Sequence, residues 1–392
     1  MYYHLMPDKM KILHVAYLYD ESLTTEEEVL EQYYTITGWA EALQRKGVEV
    51  TVMYRFKKES SFQKNGVQYH FIKDKLGGTL RGWNIPLKFL KKINTIDADV
   101  IHLHHLTLSL QTLILRFLVK KKTRIIIQHH GGKLPGKKKR FLHNVLNSVA
   151  DGFFFTTTEQ GDEWFMKKKP FKKTLPVMEG ATYFDYPTRD NSRSITYTER
   201  FIARAKTGMT GNPVFLWVGR LDDNKDPLTI LNGFEVLAEK YPDSTLHMIY
   251  SDGKLTETVK KKIEMSQKLK AKVYLHGKID HKKMEAYYNS ADYFVLGSHY
   301  EGSGYALSEA LRCGCIPVIT SIPSFRMMTD NGRIGSLWKT GDKNSFIEAA
   351  EKAMQKPLDN EIKECLHFFE KKLSFDSIAA TAILHYQKII KR

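Results

Sequence analysis

Cysteine is nearly absent from this chain of 392 residues: there are three, Cys313, Cys315 and Cys365. So odd and sparse a set excludes a disulfide framework and points to a reducing compartment. Cys313 and Cys315 flank Gly314 with no further cysteine or histidine beside them, which reads as small buried side chains rather than metal ligands. Long uncharged runs are missing too. The longest apolar stretch, LTLSLQTLILRFLV, is broken by Gln111 and Arg116 and is too short for a bilayer. The opening MYYHLMPDKMKILHVAYLYD reads as an extension, Met1–Lys9, with Met10 as an alternative start, leading into a first strand rather than as a cleavable leader. Short repeats and low-complexity tracts are lacking, as are zinc-finger spacings, RNA-binding aromatic motifs and basic coiled-coil patterns. Nucleic acid is therefore not expected as a partner.

Acidic residues are in deficit: 60 Lys and Arg face 44 Asp and Glu, a net charge of +16. The excess is clustered in the first half, in VKKKTR (119–124), GKKKR (136–140) and FMKKKPFKK (165–173). Such a field favours anionic partners. GWNIPLKFLKKI (82–93) sets a tryptophan and apolar residues among lysines, the composition of a membrane-surface patch. An anionic membrane surface is thus expected as a partner, with the protein cytoplasmic or peripheral at the inner face of the membrane.

At about 100–200 residues per domain the length implies two domains. Strand and helix signals alternate in both halves, the mark of Rossmann-like α/β domains. In the first, KILHVAYL, VEVTVMYRF, VQYHFIK, ADVIHLHHL, TRIIIQHHGG and DGFFFTTTEQ read as strands, and EEEVLEQYYTITGWAEALQRKG as one helix. The polar text from Phe184 to Asn212 reads as a connector. We assign 1–190 to an N-terminal domain, 191–212 to a linker and 213–373 to a C-terminal domain. An amphipathic helix over 374–392 has Ser374 as N-cap.

Two clusters carry chemistry. ADYFVLGSHYEGSGYALSEALRCGCIPVIT reads as strand, turn, helix, strand, a parallel βαβ unit whose turn lies at the carboxyl edge where ligands bind. Glycines 302 and 304 let a ligand approach the backbone, and N–H groups at the helix start (Gly304, Tyr305, Ala306) suit a phosphate. Glu309 is too deep in that helix to cap it. Its carboxylate can accept two ribose hydroxyls. The plainer reading makes Glu301 a turn acid and Glu309 a solvated helix residue. In FLWVGRLDDNKDPLTILNGF, Arg220 follows a strand and Lys225 precedes a helix opened by Pro227. An arginine fork with a lysine point charge suits a diphosphate. The plainer alternative is an ion pair of Arg220 with Asp222 or Asp223.

VGRLDDNKDPLTIL, the Glu301-x7-Glu309 stretch and GSLWKTGD together resemble the retaining glycosyltransferases of family four, most strongly over 213–345. The resemblance implies a GT-B fold: two Rossmann-like α/β domains facing each other across a cleft, with the C-terminal helix crossing back to the first. It implies metal-independent transfer of a sugar from a nucleotide-sugar donor (UDP or GDP sugar) to a glycan or lipid-linked acceptor in polysaccharide assembly, with no cofactor. It makes the first domain acceptor-binding and the second donor-binding. Arg220 and Lys225 would hold the diphosphate, Glu309 the ribose and Glu301 would lie near the donor sugar. Ser303, Gly304, Tyr305 and Ala306 would offer backbone N–H groups, and Gly219 and the HGKI segment with Lys278 would complete the donor site. His129 or His130 of IIIQHHGGK matches an active-site histidine, and His130, followed by Gly131, is chosen. A glycine-rich loop usually follows the first strand in this family, but YLYDESLTTEEEV has no glycine, which marks an unusual acceptor.

His102 and His104 of VIHLHHL share one strand face. With no carboxylate or cysteine placed to complete a metal site, they are expected at a polar rim of the cleft. Two rival functions follow from the same features: a GT-B-fold nucleotide-sugar epimerase, which needs no acceptor, and a non-enzymatic anion-binding protein at membrane or nucleic acid, which would be indifferent to Glu309.

Overall fold

The computed structural model describes residues 9–132, 134–166, 173–184 and 197–392. Most of the expected N-terminal extension, residues 167–172 of the third basic run and residues 185–196 of the expected connector lie outside the described residues. The chain divides into two compact units, Met1–Gly180 with Phe375–Arg392, and Ala181–Ser374.

The first unit is built from strands β1 (Lys11–Ala16), β2 (Glu49–Arg55), β3 (Ser60–Lys64), β4 (Val67–Ile72), β5 (Val100–Leu103), β6 (Arg124–Gln128), β7 (Gly152–Phe155) and β8 (Thr174–Pro176). Between them run helices α1 (Glu26–Gln32), α2 (Tyr34–Arg45), α3 (Leu87–Asn94), α4 (Ser109–Leu118), α5 (Lys137–Asn147) and α6 (Thr158–Trp164). The sheet order is β3-β4-β2-β1-β5-β6-β7-β8, parallel except for the β3–β4 hairpin. Both faces of the inner strands are buried, as the apolar runs require. One face, with Leu13, Val15, Ile101, Leu103, Ile125 and Ile127, packs on α3 and α4 through Phe89, Leu90, Ile93 and Leu115. The other lies under α2 and the chain's last helix, Phe375–Ile390.

The single helix expected after the first strand is two. Tyr33 leaves helical backbone geometry (φ −105°, ψ 37°) between α1 and α2, and its ring stacks 6.0 Å from that of Tyr54. Strand β3 was not expected. Its side chains, SSFQK, are mostly solvent-facing and polar, so no buried alternation marks it.

The second unit has one parallel sheet of order β11-β10-β9-β12-β13-β14. Its strands are β9 (Val214–Arg220), β10 (Thr245–Ser251), β11 (Val273–Gly277), β12 (Tyr293–Leu296), β13 (Ile316–Thr320) and β14 (Ser336–Trp338). Its helices are α7 (Tyr197–Thr207), α8 (Pro227–Lys240), α9 (Thr256–Met265), α10 (Gln267–Lys272), α11 (His281–Ser290), α12 (Tyr305–Arg312), α13 (Pro323–Met328), α14 (Lys343–Met354) and α15 (Leu358–Phe368). The last helix is therefore α16, and it belongs to the first unit.

Helix α7 corrects the reading of 191–212 as a plain connector. Arg200 and Arg204 on α7 grip the buried carboxylate of Asp292 at 2.8 and 2.7 Å, and the same carboxylate accepts from Val214 N–H at 2.7 Å. A buried arginine paired in this way fixes the helix to the start of β9 and β12. The three cysteines are free and buried; Cys315 Sγ donates to the Tyr288 carbonyl. Among the described residues no helix is long and apolar enough to cross a membrane.

Candidate functional site

In the second unit the chain moves from β9 outward to β10 and β11, then returns to β12 beside β9 and moves the other way. The crevice at the carboxyl ends of β9 and β12 is thus the topological switch point, where ligands bind in open α/β sheets. The last residue of β9 is Arg220 and the loop after it carries Lys225, and the loop after β12 carries Ser298, Glu301 and Ser303. Topology alone therefore brings the two sequence clusters together.

Side chains complete the junction. Lys225 Nζ pairs with Glu301 Oε1, which also accepts from Ser298 Oγ at 2.6 Å. Asn224 laces the loops: its Nδ2 donates to the Tyr300 carbonyl at 3.0 Å, its Oδ1 accepts from Tyr300 N–H at 3.1 Å, and its carbonyl accepts from His299 N–H at 2.8 Å. Gly219 lies under this arrangement, where a Cβ would come within 3.2 Å of the Lys225 stem. Asp226 caps α8, accepting from Thr229 N–H at 3.2 Å, and Pro227 fills the first turn as expected.

Arg220 is the most exposed member, 65 % accessible, and its Nε donates to Asp222 Oδ2 at 2.7 Å. The plain ion pair thus exists, and Asp222 also accepts from Lys225 N–H at 3.1 Å, so this acid orders the turn that carries both cations. Ser303 is buried, and Gly304 caps α12 in the left-handed region (φ 74°), where a Cβ would lie 2.7 Å from the Phe325 ring. Tyr305 and Ala306 form the first turn. Glu309 lies in the middle of α12, 6 % exposed, with Oε1 2.7 Å from His281 Nε2. It is therefore not a solvated helix residue. The His281 pKa is raised, chiefly by that hydrogen bond. Lys278 is exposed at the end of β11, the edge strand two places from β9, away from the Lys225–Glu301 junction. Asn224, Ser298 and His281 were not singled out in the sequence. Their only signal is position, one at each end of a strand or turn already marked.

In the first unit His129 and His130 separate clearly. His129 is a core residue, stacked on Phe155 with the Trp164 ring tilted beside it, and burial lowers its pKa to about 4. His130 is partly exposed. Its Nδ1 lies 3.1 Å from Glu179 Oε2 and its Nε2 lies 2.9 Å from His104 Nδ1. His104 Nε2 in turn lies 2.8 Å from His14 Nδ1. A line of imidazoles therefore runs from the sheet interior to His130, and each ring is oriented by the next.

His102 and His104 are not at a polar rim. Both are fully buried with His14 beneath α2 and α16, against Trp39, and His102 Nδ1 is 2.7 Å from the Tyr386 hydroxyl. The residue missed was His14, which pairs with His102 in the β1–β5 register. One nitrogen from each of His14, His102 and His104 lies within 4.8 Å of the others, and burial keeps the rings neutral, as metal ligation needs. The trio could hold a metal in those respects. Against that, the 2.8 Å between His14 and His104 is a proton-sharing distance, and the acid nearest the line, Glu179, meets His130 rather than the trio.

Comparison with known proteins agrees with this architecture. Residues 199–367 match the family described as glycosyl transferases group 1, and residues 34–164 match glycosyltransferase family 4. Mannosylfructose-phosphate synthase of Agrobacterium fabrum is 29 % identical over 47 % of this chain and 40 % of its own length. A GDP-mannose:cellobiosyl-diphosphopolyprenol alpha-mannosyltransferase of Xanthomonas oryzae is 23 % identical over 83 % of this chain and 82 % of its own. Among solved structures, sucrose-phosphate synthase of Thermosynechococcus elongatus superposes with a TM-score of 0.67 at 16 % identity, covering 98 % of this chain and all of that one. Anabaena HepE, solved with UDP and glucose, gives 0.68 at 14 % identity, covering 97 % and 100 %. The two α/β units, the switch-point junction and both family matches lead to one assignment: this chain belongs to the group 1, family 4 glycosyltransferases of GT-B fold.

Proposed function

We propose that the protein transfers a sugar from a nucleotide-sugar donor to an acceptor hydroxyl, with retention at the anomeric carbon and without a metal, in glycan or polysaccharide assembly. The observation that carries this is the Lys225–Glu301 pair at the β9/β12 switch point, beside the α12 N-terminus. Lys225, Arg220 and the N–H groups of Ser303 to Ala306 meet the diphosphate and the negative charge that grows on it as the glycosidic bond stretches. Preorganised charge of this kind is the largest single contribution in many such reactions. Glu301 lies where it reaches the donor sugar. Glu309, steadied by His281, takes the ribose hydroxyls. Gly219 keeps the strand end low enough for the Lys225 stem, and Lys278 flanks the base. His130, oriented by Glu179 and His104, is the contribution of the first unit. Relatives named for UDP and GDP sugars and for diphosphopolyprenol acceptors support a nucleotide-sugar donor and a lipid-linked or glycan acceptor.

A thermal shift series with UDP, GDP, ADP and CMP, each with and without EDTA, tests the donor site. A nucleotide at 100 times its Kd stabilises by about 2.7 kcal/mol, several degrees in Tm. One nucleotide should shift the melt, equally with and without chelator. A shift abolished by EDTA defeats metal independence, and no shift with any of the four defeats the donor site.

The same proposal places the protein at the cytoplasmic face of a membrane. Trp83, Leu87, Phe117, Phe141 and Leu142 are all more than half exposed on and beside the adjoining helices α3, α4 and α5, interleaved with Lys88, Lys91, Lys120, Lys137 and Arg140. Exposed apolar side chains on helices that also carry exposed lysines fit an anionic lipid surface. Co-sedimentation with vesicles should rise with anionic lipid and fall in a Trp83→Ala, Phe117→Ala double variant. Indifference to lipid charge removes this part of the reading.

A further inference from the structure

Four side chains form an unbroken polar line across the first unit's sheet. His14 lies in β1, His104 just past the end of β5, His130 just past β6 and Glu179 past β8. The line thus follows the sheet order β1-β5-β6 and ends beyond it. His14 Nδ1 is 2.8 Å from His104 Nε2, His104 Nδ1 is 2.9 Å from His130 Nε2, and His130 Nδ1 is 3.1 Å from Glu179 Oε2. The middle ring is held in plane as well as by its edges. His102 stacks on His104 with ring centres 4.4 Å apart, His14 lies nearly parallel at 5.0 Å, and Trp39 meets His104 edge-on at 6.3 Å. Both nitrogens of His130 are therefore engaged within its own unit.

The partners assign the protons. A neutral imidazole has one N–H and one lone pair, and the hydrogen bond at one nitrogen decides the role of the other. Burial keeps the two inner rings neutral, with the His14 pKa lowered to about 3 and that of His104 well below the ordinary value. At the outer end the Glu179 carboxylate accepts, which puts a proton on His130 Nδ1. Two arrangements then satisfy the line. In the first, His130 is neutral, its Nε2 accepts from His104 Nδ1–H, and His104 Nε2 accepts from His14 Nδ1–H. In the second, His130 is an imidazolium donating from both nitrogens, and every bond inward of it is reversed.

The inner end decides between them. His14 Nε2 is buried and has no hydrogen-bond partner among the described residues. It is a bare lone pair in the first arrangement and an orphaned N–H in the second. A buried donor without an acceptor is the rarer and costlier of the two. Both ends of the line therefore favour Nδ1–H on all three rings. The line also stops at His14 in the core, so it orients protons rather than passing them through to solvent. A metal shared by His14 and His104 would need a lone pair from each ring, and their 2.8 Å bond leaves only one between them.

We propose that His104, backed by His14, is a positioning residue that holds His130 as the neutral Nδ1–H tautomer, with the His130 Nε2 lone pair committed to the protein. A general base needs a lone pair within reach of the proton it takes, and His130 has none to offer. The proton assignment rests on the first unit alone. Its meaning for sugar transfer, that His130 shapes the site rather than deprotonating the acceptor, rests on the transferase reading.

The test uses full-length protein with nitrogen-labelled histidine and reads the ring nitrogens by NMR near neutral pH. The signals of His14, His104 and His130, assigned by single substitutions, should each show a proton-bearing Nδ1 and a bare Nε2. A coupling through the hydrogen bond should join His104 Nδ1 to His130 Nε2. His104→Leu should let His130 populate both tautomers. It should also speed acylation of His130 by diethyl pyrocarbonate, a reagent for imidazole lone pairs, by about tenfold, the weight of one hydrogen bond. Exposed His367 on α15 is the internal reference and should react at an unchanged rate. His104→Asn, whose side-chain amide can donate where Nδ1 stood, should restore the slow rate, a rescue that a merely structural role would not give. If the leucine variant does not fold, the wild-type ring spectrum decides alone. A proton on Nε2 of His104 or His130 in the wild type, a His130 unchanged by His104→Leu, or equal acylation in the asparagine and leucine variants overturns the proposal. No nucleotide enters the test, so a failed donor site would leave its outcome intact.

Discussion

Lys225→Ala should lower turnover by a factor on the order of 10²–10³, about 2.7–4 kcal/mol of barrier, while the protein stays folded. Lys225 and Glu301 are 21 % and 13 % exposed, so the pair is desolvated enough for its charge to be felt and open enough for a ligand to reach. After the substitution Glu301 still accepts from Ser298 Oγ at 2.6 Å, and Asn224 still laces the two loops. The stability cost is therefore about 1–2 kcal/mol, a few degrees in Tm. The amine acts on charge that develops only as the donor bond breaks, so kcat and kcat/KM should fall together. A folded Lys225→Ala protein with wild-type turnover would remove Lys225 from the mechanism. Arg220 provides the contrast. It is 65 % exposed and already satisfied by Asp222, so much of its charge is spent locally unless a diphosphate displaces that partner.

Much of this was readable without coordinates, for identifiable reasons. The α/β class followed from apolar runs alternating with helical periodicity, a local property. The two switch-point loops were marked by residue types, glycine beside acid and arginine followed by lysine. What stayed hidden depends on distant pairs. Asn224 meets Tyr300 across 76 positions, and Arg200 meets Asp292 across 92. No periodicity encodes such partners, so Asn224 reads as a turn residue and α7 as polar connector. His14 stayed hidden for the opposite reason: a lone histidine in an apolar strand looks like any core residue until the β1–β5 register sets it beside His102. The same register turns VIHLHHL from an exposed rim into the interior.

That interior makes the first unit sensitive to acid. Burial lowers the pKa of His14 to about 3 and those of His105 and His129 to about 4, and it holds His102 and His104 well below the ordinary value. Neighbouring imidazoles push in the same direction for His102 and His104. The sign follows directly. A histidine depressed in the folded state stays neutral while its unfolded counterpart takes up a proton below about 6.5, so stability is present above that pH and is lost as pH falls toward the folded pKa. An isolated group of this kind contributes about 1.4 kcal/mol per pH unit inside its window, and although the hydrogen-bonded rings titrate together rather than one by one, all five push the same way. The first unit should therefore lose stability as pH falls below about 6.5. In the second unit His247 is lowered to about 4 and His276 is lowered by burial, but His281 is raised by Glu309, so its histidines partly oppose one another. Hydrogen exchange compared at pH 7.5 and 5 should show protection collapsing across β1, β5 and β6 before β9 and β12. His14→Leu should flatten the dependence by about 1.4 kcal/mol per pH unit in denaturant titrations, whatever it costs at neutral pH. Equal protection of both units at pH 5 would mean that the buried imidazoles take up their protons without unfolding.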